Sequence, residues 1–263
     1  HAHMFHTLAI ASIIRLFKPS FKVVFTAHNT FSSMPLRKWL IWLLKPFRHI
    51  DTVFSKDAVS FFHKDKYKII PNGIDAKLYL KNTNSDRRSD GSFTFVIVGR
   101  LEFMKNHSFL IDIVSQMNAY DFCLKIVGSG ILEESLKSKV NDLDLNKKIQ
   151  FLGSRSNVQE ILKGCDCLLL PSLWEAFPIV LLEAGACNIP VITTPVGSIS
   201  SLVDNENGYI VDLDYFKDAM IEVLDNYSTA KNKSINLFNK VNSDFQIKDI
   251  VKSYEELYES LLK

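Results

Sequence analysis

The sequence predicts an α/β protein in which helices cover both faces of parallel, doubly wound sheets. Short apolar, β-branched runs alternate with segments of helical periodicity from one end of the chain to the other. Parallel strands need crossover connections, and strands that are apolar nearly throughout are typical of a sheet covered on both faces. With 263 residues, 47% of them hydrophobic and 23% charged, the chain is long enough for two such domains.

The first part of the chain is predicted to form an incomplete domain at residues 1–73. The sequence begins His1-Ala2-His3-Met4, without a methionine at position 1, so we expect that a segment upstream is missing. Three short strands are predicted at residues 21–26, 52–54 and 68–70, because these runs are rich in Phe, Val and Ile. Helical periodicity is predicted at residues 4–16, 36–44 and 56–63.

The second part, residues 74–244, is predicted to be a complete doubly wound domain. A polar, turn-rich stretch at residues 81–91 reads as a linker or exposed loop. Beyond it, six apolar strands are predicted at residues 93–98, 123–127, 149–152, 167–170, 191–193 and 209–211. Helices are predicted between them at residues 108–117, 132–140, 158–162 and 179–186. The chain after Asp214 is predicted to be helical, and apolar positions line one face of a last helix in residues 245–263.

Composition excludes several classes of function. Lysine and arginine number 31 against 29 aspartates and glutamates, so a net charge of +2 gives no general electrostatic case for binding nucleic acid. The four cysteines fall in apolar stretches without paired spacing, which favours a reducing compartment over disulfides or a zinc site. No apolar run approaches the length of a transmembrane helix and no signal peptide is visible, so we expect a cytoplasmic location.

An acidic motif directly follows one of the buried strands. Residues 171–185 read PSLWEAFPIVLLEAG, and the position after a parallel strand is where open α/β folds bind ligands. Pro178 suits the first turn of a helix, whose free amides and positive dipole end would accept an anion such as phosphate. Glu175 and Glu183 would then address two ends of one hydroxyl-rich ligand. The alternative is that Glu175 is an N-terminal helix charge and Glu183 a solvated surface residue.

A basic motif follows another strand. Residues 99–107 read GRLEFMKNH, in which Gly99 permits a tight turn and two cations, Arg100 and Lys105, can converge on a diphosphate. The alternative is an ordinary solvated loop in which Asn106 caps the next helix. Together the two motifs would place cations, a helix terminus and carboxylates around one point.

These motifs resemble those of the retaining glycosyltransferases of family 4, which have the GT-B fold of two Rossmann-like domains facing a cleft for a nucleotide-sugar. Glu175 and Glu183 reproduce the E-x7-E motif of that family, and Gly99-Arg100 with Lys105 resembles its G-R…K loop. Residues 70–75, IPNGID, resemble its interdomain P-N-G-V/I-D segment. The HAHMFH start and the TAHN stretch at residues 26–29 resemble its H-x-H and T-x-H-N/G stretches.

The resemblance implies a role for each matching residue. Its catalytic residues would be His3, beside the transferred sugar, and Glu175, in contact with that sugar. The donor diphosphate would be held by Gly99, Arg100 and Lys105 and by the amides near Phe177, Pro178 and Ile179. Glu183 would bind the nucleotide ribose, and Gly128 and Gly153 would let the backbone approach the base. The last helix would cross back onto the first domain.

The implied activity is transfer of a hexosyl group from a nucleotide diphosphate sugar to a glycan or lipid-linked oligosaccharide, with retention of configuration. No cofactor or metal is expected, because the motif needs none and no acidic D-x-D pair stands beside the donor site; Asp142 and Asp144 have that spacing but lie in a distant polar stretch. The rival interpretations are a truncated donor-binding module without catalysis, a nucleotide-sugar epimerase and a glycoside phosphorylase.

The sequence departs from the family pattern in several places. Asn106 and Ala176 stand where relatives commonly have glycine, and three serines occupy a segment that usually contains glycine, proline and glutamate: Ser198, Ser200 and Ser201. Relatives also carry a further βα stretch with a glycine-rich loop before the H-x-H segment. We therefore expect the 263-residue chain to bind donor through its second domain but to transfer sugar poorly.

Residues 34–48, MPLRKWLIWLLKPFR, combine cations with tryptophans, and two interpretations stay open. The first is that this stretch seats the first domain on an anionic membrane, at its cytoplasmic face, near a lipid-linked acceptor. The second is that Trp39, Ile41 and Leu43 are simply core. We favour the second, because Pro46 shortens the helix.

Overall fold

A computed structural model describes residues 1–28, 35–79 and 92–263. The predicted linker at residues 81–91 lies outside these ranges, as do Asn29 of the TAHN stretch and Met34.

The first sheet has four parallel strands in the order β1-β2-β3-β4. These strands are Ala2–His3, Val24–Thr26, Ile50–Val53 and Tyr67–Ile69. Within residues 1–28 and 35–79, two α-helices accompany them, α1 at Phe5–Phe17 and α2 at Pro35–Leu43. Strand β1 was not among the predicted strands, because two residues, one of them histidine, carry no alternation to detect.

The prediction of a helix at residues 56–63 is wrong. Only Lys56–Ala58 forms a short 3₁₀ turn, and Val59 is already extended, with φ −70° and ψ 134°. The backbone amide of Ser60 donates to Nδ1 of His63 at 2.9 Å instead of to a helical carbonyl. A local bond between a side chain and the backbone has therefore replaced the helix.

The second sheet has six parallel strands in the order β10-β9-β8-β5-β6-β7. Its strands β5 to β10 are Phe93–Val98, Phe122–Val127, Ile149–Gly153, Cys167–Leu170, Val191–Thr193 and Tyr209–Ile210. Across the sheet from β7 to β5, each strand comes earlier in the chain than the one before it. From β8 to β10, each strand comes later. The sheet therefore has a topological switch point between β5 and β8.

Seven helices follow in the described part of the second half: α3 His107–Gln116, α4 Glu133–Asp142, α5 Val158–Lys163, α6 Ile179–Ala186, α7 Phe216–Asp225, α8 Tyr227–Asp244 and α9 Ile247–Leu262. The strand residues alternate between two apolar clusters. Val96 and Leu168 pack with α6 and α8, whereas Phe95 and Cys167 pack with α3, α4 and α7. Both faces of the sheet are thus covered, which explains why its strands are apolar nearly throughout.

Helix α9 lies against the first sheet. Its residues Ile250 and Leu257 are buried with Val24, Ile50 and Ile70. Close to the start of this helix, Ile74 accepts the amide of Ile247 at 3.0 Å. The predicted α/β fold with two parallel-sheet domains is confirmed, while the boundaries at residues 73 and 244 stay predictions. Among the described helices, none has the length and hydropathy needed to cross a bilayer.

The prediction that α2 is buried in the core is wrong for two of its three residues. Ile41 is buried, but Trp39 and Leu43 are 55% and 58% exposed. Arg48, by contrast, is fully buried and forms an ion pair with Asp51, with Nη1 2.9 Å from Oδ2. Pro46 ends the regular helix, as expected, but the shortened helix still turns its large side chains outward.

Candidate functional site

The candidate site lies at the switch point of the second sheet. Strands β5 and β8 are hydrogen-bonded neighbours, with Phe95 opposite Cys167 and Val96 opposite Leu168. The connections that leave their carboxyl ends pass to opposite sides of the sheet, which is the arrangement beside which open α/β sheets bind ligands. The loop after β5 is the basic motif at residues 99–106, and the loop after β8 is the acidic motif at residues 171–178.

Lys105 of the basic loop meets Glu175 of the acidic loop. The lysine Nζ lies 2.5 Å from Oε1 of Glu175, and the hydroxyl of Ser172 donates to the same oxygen at 2.6 Å. Glu175 is only 7% exposed, so this carboxylate is held in place by two donors rather than by water. The prediction that the two loops converge on one point therefore holds for this pair of residues.

Two further hydrogen bonds join the same loops. The amide of Leu173 donates to the carbonyl of Met104 at 2.8 Å, and Nδ2 of Asn106 donates to the carbonyl of Pro171 at 3.3 Å. Asn106 has a left-handed backbone with φ 57°, and its side chain makes no helix-capping bond. A left-handed position favours glycine, and asparagine tolerates it best among other residues. The substitution at Asn106 is therefore compatible with the loop, and its proposed capping role is wrong.

The structure does not bring Arg100 into this cluster. Its side chain is 77% exposed, and Nη1 lies 2.8 Å from Oε1 of Glu102 within its own loop. The guanidinium is thus largely in solvent, beside its own loop. Of the two cations that the sequence predicts for the diphosphate, the structure places one, Lys105, against the acidic motif.

The start of α6 offers backbone donors. Pro178 is the residue before the helix, with φ −74°, and has no N–H to donate. The amides of Ile179 and Val180 belong to the first turn, where no intrahelical acceptor exists. Phe177 is buried, and its ring packs beside Phe54 and Phe245. The anion-binding capacity of this stretch therefore comes from the helix terminus behind Pro178.

Glu183 lies within α6 and is bound by a residue that the sequence did not single out. The hydroxyl of Tyr79 donates to Oε1 of Glu183 at 2.9 Å. Burial raises the pKa of Glu183, and the bond from Tyr79 lowers it in part. Glu183 is half-buried, not a solvated surface group, and its carboxylate already accepts a hydroxyl donor.

The three glycines predicted for the site differ in whether close packing or a positive φ requires glycine at that position. Gly99 lies under the side chain of Lys105, since a Cβ there would be 3.3 Å from Cε. Gly128 has φ +139°, and a Cβ would stand 1.9 Å from the carbonyl oxygen of Gly99. Gly153 has φ +69° but open space around it. Gly128 therefore allows the loop after β6 to approach the loop after β5. Gly153 is needed only because its backbone has a positive φ.

Gly197 is a further glycine on which the site depends. Its φ is +60°, and a Cβ would lie 1.6 Å from the carbonyl oxygen of Glu175. The loop after β9 thus rests directly on the backbone of the acidic motif. The signal for it in the sequence was a Pro-Val-Gly turn after a predicted strand, which is general to α/β folds.

On the first-domain side, His3 lies at the carboxyl end of β1. Its Nδ1 is 2.7 Å from Nε2 of His28, and the ring of His1 stacks on it with centroids 4.1 Å apart. Partial burial lowers the pKa of both His3 and His28. Two neutral rings at this distance share one hydrogen, with one nitrogen donating and the other accepting.

An aromatic chain connects this histidine pair to the acidic motif. The ring of His28 lies 5.3 Å from that of Phe54, which in turn lies 6.0 Å from Phe177. Asn72 of the IPNGID segment also donates from Nδ2 to the carbonyl of Phe177 at 3.1 Å. The first domain therefore contacts the acidic motif both through rings and through a hydrogen bond.

Ser198, one of the departures from the family pattern, is buried at the same junction. The hydroxyl of Ser55 donates to its Oγ at 2.8 Å. The short side chain at position 198 thus allows a direct bond between the two halves. Within residues 1–28, 35–79 and 92–263, no group of three or more His, Cys, Asp or Glu side chains is placed to hold a metal ion.

Comparison with known proteins identifies relatives. The family model described as glycosyl transferases group 1 matches residues 81–237. A similar Escherichia coli protein, UDP-Gal:alpha-D-GlcNAc-diphosphoundecaprenol alpha-1,3-galactosyltransferase, is 32% identical over 70% of this chain and 54% of its own length. A Campylobacter jejuni relative, N-acetylgalactosamine-N,N'-diacetylbacillosaminyl-diphospho-undecaprenol 4-alpha-N-acetylgalactosaminyltransferase, is 31% identical over 71% of this chain and 52% of its own length.

A solved structure shows the same fold. The structure of Anabaena HepE in complex with UDP superimposes with a TM-score of 0.88 at 21% identity, over 97% of this chain and 76% of that one. The chain spans about half the length of the curated relatives it matches.

Proposed function

This chain belongs to the glycosyl transferases group 1 family, and from that premise we propose that it is a retaining, family 4 type hexosyltransferase. Its donor is a nucleotide diphosphate sugar, and its acceptor is a lipid-linked oligosaccharide or another glycan. The single observation that carries the proposal is the ion pair between Lys105 and Glu175 across the switch point of the second sheet.

The donor diphosphate is assigned to Lys105 and the start of α6. Both provide positive charge or free N–H groups at the switch point, where charge grows as the nucleotide leaves. Arg100 reaches the diphosphate only after leaving Glu102, which its 77% exposed side chain can do at little cost. The site thus provides cationic groups without a metal, and we propose that no metal or other cofactor takes part.

Glu175 and Glu183 are assigned to the two sugars of the donor. Glu175, held by Lys105 and Ser172 through Oε1, presents its other oxygen to hydroxyls of the transferred sugar. Glu183 accepts from the nucleotide ribose, beside the Tyr79 hydroxyl. We assign the base to the backbone near Gly128 and Gly153, at the carboxyl ends of β6 and β7.

The reaction we propose is attack on the same face of the sugar from which the diphosphate departs. The bond from the anomeric carbon to the diphosphate oxygen breaks, and the nucleotide keeps the electron pair. The acceptor hydroxyl forms the new bond and gives its proton to that departing oxygen. His3, oriented through Nδ1 by His28, hydrogen-bonds the sugar as it passes through an oxocarbenium-like state.

The names of the relatives support the choice of first substrates. The Escherichia coli relative uses UDP-Gal and a diphosphoundecaprenol-linked GlcNAc, and HepE binds UDP. We therefore propose a UDP-sugar donor and a polyprenyl diphosphate-linked acceptor, in polysaccharide or lipopolysaccharide synthesis at the cytoplasmic face of the membrane. Contact with that membrane through residues 34–48 belongs to the same proposal.

The test is release of UDP from a panel of UDP-sugars, measured with and without diphosphoundecaprenol-linked GlcNAc. Transfer predicts UDP release only when acceptor is present, and NMR of the product then gives the anomeric configuration. Conversion of the donor to its epimer without acceptor would instead identify an epimerase, and phosphate-dependent glycan cleavage a phosphorylase. UDP binding without any turnover, not even the slow transfer that we expect of this chain, would identify a donor-binding module.

A further inference from the structure

The face of the first sheet that α9 covers changes from apolar to polar towards the carboxyl ends of its strands. Side chains two positions apart in a strand point to the same face. Val24 and Ile50 are buried with α9, and two positions later in the same strands Thr26 and Thr52 stand opposite each other and are also buried. Their hydroxyls are hydrogen-bonded to each other. The apolar face under α9 therefore ends in a pair of buried hydroxyls.

The side chain of His1 connects this hydroxyl pair to α9. Its Nε2 is 2.7 Å from Oγ1 of Thr26, and its Nδ1 is 2.7 Å from the hydroxyl of Tyr258 in α9. A neutral imidazole donates from one nitrogen and accepts at the other, and a hydroxyl can do either, so both bonds can be made at once. The ring of His1 is thus fixed at both nitrogens, on one side by the first sheet and on the other by the last helix.

The ring of His1 in turn restrains the ring of His3. The two residues lie two positions apart, so their side chains share a face, and their rings stack with centroids 4.1 Å apart and planes at 28°. Rotation about the Cβ–Cγ bond of a histidine has only shallow preferences, so neighbouring groups have to fix the plane of the ring. His28 holds Nδ1 of His3, and His1 covers one face of its ring.

We infer that Tyr258, acting through His1, is a positioning residue for His3. The hydroxyl of Tyr258 fixes the ring of His1, and that ring limits the rotation of the His3 imidazole. Helix α9 thereby contributes to the orientation of a site residue, in addition to packing on the first sheet. That His3 meets the transferred sugar rests on the proposed function. The contacts among these side chains do not, so the two can fail separately.

The alternative is that the bond between Tyr258 and His1 only anchors α9 to the first sheet. Ile250 and Leu257 already provide a buried contact there, whereas Tyr258 is 39% exposed. An exposed hydroxyl can exchange its partner for water at little cost in stability. Anchoring alone therefore predicts that loss of the Tyr258 hydroxyl leaves His3 unchanged, and positioning predicts that His3 responds.

The experiment records the imidazole nitrogen signals of the histidine-labelled chain by NMR, with His3→Gln to assign the signals of His3. Tyr258→Phe should move the signals of His1 and His3 and leave those of the distant, buried His107 in place. Tyr254→Phe is the matched control. It removes a hydroxyl one turn earlier in α9, from a ring that lies 5.5 Å from that of His1 but makes no hydrogen bond to it in the described structure. This control should leave the His3 signals where they are in the parent chain.

His1→Phe tests whether the effect passes through His1. It keeps a ring beside His3 but cannot bond to Tyr258, so it should move the His3 signals, and adding Tyr258→Phe should move them no further. UDP titration shows that each variant is folded. Unmoved His3 signals in Tyr258→Phe would overturn the inference. Equal movement in both tyrosine variants would also overturn it, in favour of general packing of α9.

Sugar transfer separates this inference from the proposed function. Tyr258→Phe should lower kcat of the slow transfer about fivefold, which corresponds to the loss of one hydrogen bond, while its affinity for UDP stays that of the parent chain. Moved His3 signals in Tyr258→Phe, together with no transfer by the parent chain, would support the positioning of His3 and count against the proposed function alone. Moved signals with an unchanged kcat would show that the orientation of His3 does not limit transfer and would overturn its positioning for the reaction.

Discussion

The ammonium of Lys105 and the carboxylate of Glu175 lie 2.5 Å apart, although the residues are 70 positions apart in the chain. They are neighbours because β5 and β8 pair at the point where the strand order of the second sheet reverses. The contact between Lys105 and Glu175 holds the two loops together. The same contact places a cation and a hydrogen-bond acceptor at the site that we propose for the donor.

The first prediction concerns the stability of this ion pair. Lys105→Met should lower the free energy of unfolding by about 3 kcal/mol, because it leaves the carboxylate of Glu175 buried without its cation. Lys105→Met/Glu175→Gln should recover most of that loss. Urea unfolding of the four members of this double-mutant cycle gives the coupling energy.

Arg100→Met is the matched control for that cycle. Its partner Glu102 is also acidic, but both side chains are substantially exposed. The change should therefore be within about 0.5 kcal/mol of the parent protein. Additive effects of the Lys105 and Glu175 substitutions would show that the contact has no energetic weight.

The second prediction contrasts two glycines. Gly128→Ala should cost more than about 3 kcal/mol, because its Cβ would overlap the carbonyl oxygen of Gly99, only 1.9 Å away. Gly153→Ala should cost only about 1–2 kcal/mol, since the space there is open and only the left-handed backbone is strained. Thermal unfolding of both variants tests this order, and equal losses would be inconsistent with the close approach of the two loops.

The third prediction concerns pH and nucleotide binding. Burial raises the pKa of Glu183, so its carboxylate takes up a proton at a higher pH than an exposed glutamate does. If Glu183 accepts from the ribose, affinity for a UDP-sugar should fall as pH decreases through that raised pKa. A UDP-sugar is the right ligand because its diphosphate diester does not titrate in this range.

Tyr79→Phe provides the control for Glu183. Removing the Tyr79 hydroxyl removes a bond that lowers the pKa, so the loss of affinity should begin at a higher pH than in the parent protein. Glu183→Gln should bind weakly at every pH. A parent-like profile for Tyr79→Phe in isothermal titration calorimetry would disprove the role assigned to this pair.

The fourth prediction concerns His107, at the start of α3. It is buried, and in the described structure neither ring nitrogen has a hydrogen-bond partner. Burial, with a smaller effect of the Lys105 charge, lowers its pKa from 6.5 to about 4. Between these pH values the unfolded chain binds a proton that the folded chain does not, so stability falls as pH decreases from 6.5 to 4. The loss amounts to roughly 3 kcal/mol.

His107→Leu should remove this part of the pH dependence and stabilise the protein at pH 7 by about 1 kcal/mol, because no buried polar nitrogen is then left unpaired. Urea unfolding at pH 7 and pH 5 measures both effects. The same loss of stability at pH 5 in His107→Leu and in the parent protein would mean that other groups, His63 among them, account for it.

Much of the second domain could be predicted because its strands are covered on both faces. Periodicity predicted helix α6 at Ile179–Ala186 and strand β5 at Phe93–Val98 with the bounds that the structure has. The first domain was harder. Its β1 has two residues, and at residues 56–63 the His63 side chain takes the backbone amide that a helix would have used.

Site residues could be predicted where a charged residue follows closely after the end of a recognisable strand. Lys105 and Glu175 each follow a recognisable strand, so their convergence could be expected once the strands were parallel. Tyr79 could not be expected to meet Glu183, because nothing near Tyr79 in sequence marks a contact with a residue 104 positions away. For Arg100, the sequence predicted a contact that the structure does not show. Its side chain pairs with Glu102, only two residues away in the chain.

The central claim is that the basic and acidic loops hold a nucleotide diphosphate between them. Calorimetric titration of UDP into the parent chain, Lys105→Met/Glu175→Gln and Gly153→Ala tests it most directly, because the double variant removes the charges without leaving either one buried alone. The account predicts that the double variant binds UDP at least about tenfold more weakly than the parent chain, while Gly153→Ala loses less. Equal UDP affinity in the parent chain and the double variant would contradict it.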